Sequence, residues 1–169
     1  MSGWLLDTNV LSELRKPRPD AHVARFVADQ PGGSLFVSEV TFAEIRFGIE
    51  RLSDAARRTD LTQWLDRELR PLFSGRVIGV DEGVILRWRL MVEEGRRRRH
   101  TFSQPDLFIA ACAAHHGLIT VSRDAGEFVA AGVPLLDPWT STLHARGKTW
   151  RLDAPVGLRA AEALASRGR

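Results

Sequence analysis

The chain has 169 residues, of which 44% are hydrophobic and 27% charged, with a formal net charge of +3. That length suits one domain with a sizeable core, and the balance is that of an ordinary globular protein. No apolar run approaches the ~18 to 20 residues needed to span a bilayer.

Residues 1 to 7 lack a basic leader region, so no signal peptide is expected. Trp4-Leu5-Leu6 reads as a short buried strand, and Asp7-Thr8-Asn9 supplies cap chemistry for a helix through Val10, Leu11 and Leu14 that Pro17 and Pro19 end. Asp20 is expected to cap a second helix, closed by Pro31-Gly32-Gly33. Leu35-Phe36-Val37 is a second strand. From Thr41 to Leu52 apolar residues recur at Phe42, Ile45, Ile49 and Leu52, a helical repeat, and a longer one runs from Asp54 to Phe73.

Val77 to Val80 reads as a third strand, followed by a helix from Asp81 through Ile85, Trp88 and Val92. Arg96 to Arg99 form a loop or helix end. Pro105 to His116 is a helix with Gly117 as its stop. Leu118 to Val121 is a fourth strand and Val133 to Leu136 a fifth. Strand and helix alternate, so the fold class is α/β: a mainly parallel, about five-stranded sheet covered on both faces. Residues 1–139 form the expected domain. The pattern loosens after Pro138-Trp139, leaving 140–169 as a basic extension of unknown role, with a short helix between Ala154 and Ser166 outside the core.

Charge is unevenly spread. Residues 87 to 100 carry +4 and residues 140 to 169 another +4, so the overall +3 leaves −5 on the rest. An acidic body with two basic attachments suits a polyanion bound next to clustered carboxylates. The single cysteine, Cys112, permits no internal disulfide, which points to a reducing cytoplasm.

Four acids stand where elements begin or turn: Asp7, Glu44, Asp106 and Asp124. Each has an ordinary structural reading. Asp7 fits a helix cap, Thr41-x-x-Glu44 and Ser103-x-x-Asp106 fit capping boxes, and Asp124 lies in a turn-forming Ser-Arg-Asp-Ala-Gly stretch. In a parallel α/β fold, however, strand ends and helix starts gather along one sheet edge, where ligands bind. Two ionised carboxylates ~4 Å apart repel by on the order of 4 kcal/mol at an effective dielectric near 20. A hard divalent cation relieves that repulsion, and water bound to it has a lowered pKa and can attack phosphorus. The helix dipole is expected to keep Asp106 ionised.

The segments around these acids resemble the PIN-domain nucleases. They are Leu5-Leu6-Asp7-Thr8-Asn9-Val10-Leu11-Ser12-Glu13, Thr41-Phe42-Ala43-Glu44-Ile45-Arg46-Phe47-Gly48-Ile49, Pro105 to Ala111, Leu118 to Asp124 and Gly132 to Trp139. Within that family the Glu-Ile-Arg-Phe-Gly-Ile form is most similar to the VapC and FitB toxins of bacterial toxin–antitoxin pairs. The resemblance covers residues 3 to 139. It implies a three-layer α/β/α fold and a Mg²⁺- or Mn²⁺-dependent ribonuclease, usually dimeric, neutralised by a small DNA-binding antitoxin. The catalytic and metal-binding acids it implies are Asp7, Glu44, Asp106 and Asp124, with Asn9, Ser122 and Glu127 as supporting residues. Arg46, Arg96, Arg97, Arg98, Arg99 and Arg123 are candidates for gripping RNA phosphates.

Two other functions remain open at this point: a binding module that uses the acidic pocket only for docking, and an RNA-processing nuclease of the same fold without a toxin role. A phosphoacceptor domain is disfavoured, because neither Lys16 nor Lys148 follows an apolar strand-like run. Trp64 and Trp88, at helical spacing, read as core. His115-His116 reads as charge at a helix end rather than as metal ligands, and without paired Cys or His-x-x-x-His a zinc enzyme is a poor fit.

Overall fold

The computed structural model describes residues 2–166. Its centre is a sheet in the order β3-β2-β1-β4-β5-β6-β7. The strands are β1 (Trp4–Leu6), β2 (Leu35–Ser38), β3 (Val77–Ile78), β4 (Ile119–Val121), β5 (Leu135–Asp137), β6 (Thr142–Ala145) and β7 (Lys148–Arg151). The first five are mutually parallel, as expected from the alternation of strand and helix. The last two are antiparallel additions to β5.

Alternation along β1 divides the core between the two faces of the sheet. Trp4 and Leu6 point into one apolar cluster with Val10, Phe26, Phe42 and Ile45, while Leu5 joins another with Ile109, Cys112 and Phe128. All three strand residues have no exposed surface, as a sheet covered on both sides requires. Helices α1 (Thr8–Leu14), α2 (Ala21–Asp29), α3 (Glu39–Glu50) and α4 (Ala55–Trp64) cover the first face. A π turn at Leu65–Leu69, with Arg70 N–H bonded back to the Leu65 carbonyl, leads into α5 (Arg70–Leu72). The expected single helix from Asp54 to Phe73 is therefore interrupted, directly before Pro71, whose ring clashes with a regular helical ladder.

The other face is covered by α6 (Glu82–Arg97), α7 (Gln104–His116) and α8 (Ala125–Ala130). Asp81 caps α6 through the Val84 amide at 2.9 Å, and Gly117 ends α7 with φ +67°. Trp88 stacks on Phe108 with ring centroids 4.8 Å apart, and Trp64 packs at the edge of the first cluster, so both serve the core as expected.

Residues 140–166 are more regular in structure than their sequence pattern suggests. β6 and β7 form a hairpin whose turn, Arg146-Gly147, has φ of 51° and 72°, the double positive φ that a tight two-residue turn requires. The helix expected between Ala154 and Ser166 is present as α9 (Leu158–Ser166), but it is not outside the core. Ala161 is fully buried in the first cluster together with Leu143 and Val156. Gln30 joins this segment to β1 by accepting from Trp4 Nε1 at 2.8 Å and donating to the Val156 carbonyl at 3.0 Å. Among the described residues no helix is long and apolar enough to cross a membrane.

Candidate active site

The strand order places a topological switch between β1 and β4. From β1 the chain builds outward through β2 and β3, then returns to lay β4 on the other side of β1. In open α/β sheets the loops beyond the strand ends diverge at such a point and leave a crevice. Asp7 follows β1 there, and Ser122, Arg123 and Asp124 follow β4. The Asp7 N–H donates to the Val121 carbonyl at 3.0 Å, which locks the two loops together.

Around this junction the polar side chains form one network. Asp7 Oδ1 accepts the Thr8 amide at 2.7 Å, so Asp7 does cap α1. Its Oδ2 accepts from Ser122 Oγ at 2.6 Å and from Asn9 Nδ2 at 3.0 Å. Asn9 Nδ2 also lies 2.8 Å from Ser122 Oγ and 3.4 Å from Asp124 Oδ2. Ser122 Oγ in turn accepts the Asp124 amide at 3.0 Å. Asn9 and Ser122 thus tie Asp7 and Asp124 together. Asp7 is 4% exposed and Ser122 is fully buried.

Electrostatics tie Asp106 into the same group. Burial pushes the Asp7 carboxyl up to about 6, against the lowering effect of Ser122 and the Thr8 amide, and the charges of Asp106 and Asp124 push it further in the same direction. Asp106, near the start of α7, is also raised: burial is the main cause, opposed by a hydrogen bond with Ser103, and Glu127 and Asp124 add to the rise. The dipole effect expected to favour its ionised form is therefore outweighed by its surroundings. The Ser103-x-x-Asp106 spacing is not a capping box. The Ser103 amide donates to Glu127 Oε2 at 3.1 Å, so an acid from α8 fills that place and Asp106 is left to face its neighbours.

Glu44 is positioned differently. The helix bearing it begins at Glu39, capped by Ser38 Oγ on the Thr41 amide at 3.0 Å, which rules out the Thr41–Glu44 capping box. Glu44 lies one turn further on, half-buried, and borders a groove shared with Thr8 and Ser12 of α1. Among the described residues no three of the four acids bring one carboxylate oxygen each within 4.8 Å of one another, so they do not form a closed cage.

The donor set fits a hard cation. It is made of carboxylate oxygens, the ligands Mg²⁺ and Mn²⁺ prefer, and an open arrangement suits ions that retain several waters. Asp7 Oδ1, with one amide bound, keeps a lone-pair direction for such an ion. Burial, and to a lesser degree the charges of Asp106 and Asp124, raise the Asp7 carboxyl, and a cation beside it would favour the ionised form.

The candidate arginines divide by location. Arg123 leads directly into Asp124 and its guanidinium lies over the Trp139 ring at 5.1 Å. Arg96, Arg97 and Arg98 pair with Glu93 or Glu94 along α6 at 2.7 to 3.7 Å, and Arg46 pairs with Glu50 at 3.8 Å. These are exposed pairs worth only ~0 to 1 kcal/mol, so a phosphate can displace them at little cost. Two contributors escape a sequence reading. Ser103 was legible only as a cap, and the stacking of Trp139 on Arg123 depends on a turn made by Asp137, which accepts the Trp139 amide at 2.9 Å.

An α/β sheet with this switch point and acidic network defines the PIN class of domain. The PIN-domain family model matches residues 4–133, and the chain belongs to that family. It is 35% identical over 135 residues to plasmid stability protein StbB of Pseudomonas syringae pv. tomato, covering 80% of this chain and 97% of that one. It is 34% identical to VapC ribonuclease Y4jK of Sinorhizobium fredii, covering 80% and 96%. Toxin FitB of Neisseria gonorrhoeae is 33% identical, with 80% and 97% covered. Among solved structures the chain is similar to FitAcB from Neisseria gonorrhoeae, with a TM-score of 0.75 and 32% identity over 80% of this chain and 98% of that one. It is also similar to FitAB bound to the IR36 DNA fragment, with a TM-score of 0.74 and 31% identity over 80% and 95%.

Proposed function

We propose that this protein is an endoribonuclease and the toxin of a toxin–antitoxin pair, hydrolysing RNA phosphodiesters with the help of Mg²⁺ or Mn²⁺. The observation that carries the reading is the network in which Asn9 and Ser122 hold Asp7 and Asp124 together at the β1–β4 switch, within the field of Asp106. The relatives named VapC ribonuclease and toxin FitB, and the FitAB complexes among solved structures, support the toxin role and a small DNA-binding antitoxin as partner. Asp7, Asp106 and Asp124, with Glu44 at the groove edge, are the proposed cation ligands and catalytic residues. We also propose a homodimer acting in the cytoplasm, and a nuclease unit spanning residues 1–139.

A divalent cation held there supplies charge neutralisation at the phosphate and a water of lowered pKa. The chain's own residues do the rest. Ser122 and the Thr8 amide hold Asp7 in one rotamer, and Asn9 fixes the separation of Asp7 from Asp124. Glu127, tied to the Ser103 amide, anchors the loop before Asp106. Arg123, steadied by Trp139, is positioned to receive a phosphate next to the acids. The test is cleavage of total RNA by the full chain. We expect scission with Mn²⁺ or Mg²⁺, loss in EDTA, and loss in a folded Asp106→Asn variant. Undiminished cleavage by that variant would overturn the assignment.

A further inference from the structure

At the end of α7 opposite Asp106, the side chains of Asp81, His115 and His116 each place one ligand atom within 4.8 Å of the other two. Asp106 and His116 are ten residues apart on one helix, so this cluster lies about 15 Å from the acidic network. We propose that Asp81, His115 and His116 bind a divalent transition-metal ion of the zinc type, at a site separate from the candidate active site.

Three features of the geometry support this. The ligand set is two imidazoles and a carboxylate, the combination that suits zinc and its neighbours rather than Mg²⁺. Ligands on one tetrahedral ion with bonds of ~2.0 to 2.2 Å stand about 3.4 Å apart, so closure from separations of at most 4.8 Å needs each pair to approach by no more than about 1.4 Å. Two of the ligands are also held in place from outside the cluster. Asp81 is fixed by its Oδ1 bond to the Val84 amide at the start of α6. His115 is seated against Gly83, where an added Cβ would come within 2.3 Å of ring Cε1 and 2.7 Å of Nε2. Gly83 sits in the first turn of α6, where glycine is a poor helix former, and the imidazole against it accounts for its presence. His115 and His116 read as helix-end charges from sequence alone because Asp81 is more than thirty residues away and reaches them only through the antiparallel packing of α6 on α7. Asp81 and His115 are exposed and His116 half-buried, so an ion can enter from solvent. Once bound it would tie the start of α6 to the end of α7, bracing the helical pair whose other end carries Arg96 to Arg99 and Asp106.

The experiment uses the full chain carrying Asp7→Asn and Asp106→Asn, which weakens cation binding at the acidic site, and the ligand variants are compared within that background. Zn²⁺ binding is followed by calorimetry, and Co²⁺ binding by its visible absorption, which reports imidazole ligation in a low-coordinate site. We expect one ion per chain at micromolar affinity or tighter, a rise in Tm with Zn²⁺ but not with Mg²⁺, and at least tenfold weaker binding in His115→Gln and His116→Gln. Asp81→Asn keeps a helix cap and is expected to weaken binding similarly. Gly83→Ala, which displaces the His115 ring without removing a ligand, is expected to do so as well. Failure of the background protein to bind Zn²⁺ at 100-fold excess overturns the site, as does undiminished binding in the folded histidine variants. Undiminished binding in Asp81→Asn overturns the three-ligand arrangement. Because Asp7 and Asp106 are already replaced and the readout is zinc binding rather than RNA cleavage, none of these outcomes bears on the ribonuclease reading.

Discussion

Burial lifts the Asp7 carboxyl to about 6, while Ser122 and the Thr8 amide draw it back down. The native state therefore holds a proton on Asp7 more tightly than the unfolded chain, whose carboxyl titrates near 3.8. By linkage, the metal-free protein should lose stability as pH rises from 3.8 through about 6, on the order of 3 kcal/mol from this group alone. A proton and a cation compete for the same carboxylate. Mn²⁺ affinity should thus strengthen from pH 5 to pH 7 and level off above, which calorimetry at several pH values would register. A flat profile would mean that Asp7 is not a ligand. Ser122→Ala removes the 2.6 Å bond to Asp7 and should raise its carboxyl further. The expected result is 10- to 100-fold weaker cation affinity or activity, the usual penalty for losing a residue that orients a ligand. An unchanged Mn²⁺ affinity would assign Ser122 a packing role only.

At the scale of elements, the basic end of α6 and the loop after β4 are the parts expected to meet RNA. Each arginine that neutralises one phosphate steepens the salt dependence of binding by a little under one unit of log–log slope on single strands. Replacing Arg96, Arg97 and Arg98 together by Gln should weaken RNA binding at low salt and flatten that slope by about two units, with the acidic site intact. An unchanged slope would leave those residues as partners of Glu93 and Glu94 alone. Elements with strong local signals were readable from sequence: β1 through β5, the Asp20 cap, the helix beginning at Asp81, and α7 with its Gly117 stop. The start of α3 was not, because Thr41 and Glu44 imitate a capping box that Ser38 fills three residues earlier. The break before Pro71 was also missed, since the apolar spacing of Leu61, Leu65 and Leu69 continues across it. Both failures are local patterns that the surrounding structure overrides.

The whole molecule shows the same limit at longer range. Asp7, Asp106 and Asp124 stand out in the sequence because each follows a strand or stands at a helix start, and Glu44 because of the motif around it, yet their relation depends on the order β2-β1-β4, which no local pattern contains. Glu44 lies on a groove edge with Thr8 and Ser12 and takes no part in the hydrogen-bonded network that joins Asp7 to Asp124. The C-terminal segment was the least readable part: β6 and β7 are four residues each, and Leu143 and Ala145 are the inward-facing positions of a strand with polar residues between them. Leu143, Val156 and Ala161 are nevertheless core residues. Leu143→Ala should cost ~2 to 5 kcal/mol, lowering Tm by on the order of 4 to 20 °C in a chain of this size. Removal of 140–169 should destabilise at least as much, by stripping a buried cluster and the Gln30 partner at Val156. A truncated protein with native Tm would show the extension to be dispensable for the core.

Mn²⁺ titration of the full chain, wild type against Asp7→Asn, bears most directly on the role given to the switch-point acids. The account predicts saturable binding that raises Tm in the wild type and at least tenfold weaker binding in the variant, with its fold unchanged by circular dichroism. Equal affinity in the two proteins, or no Mn²⁺ binding by either, would contradict it.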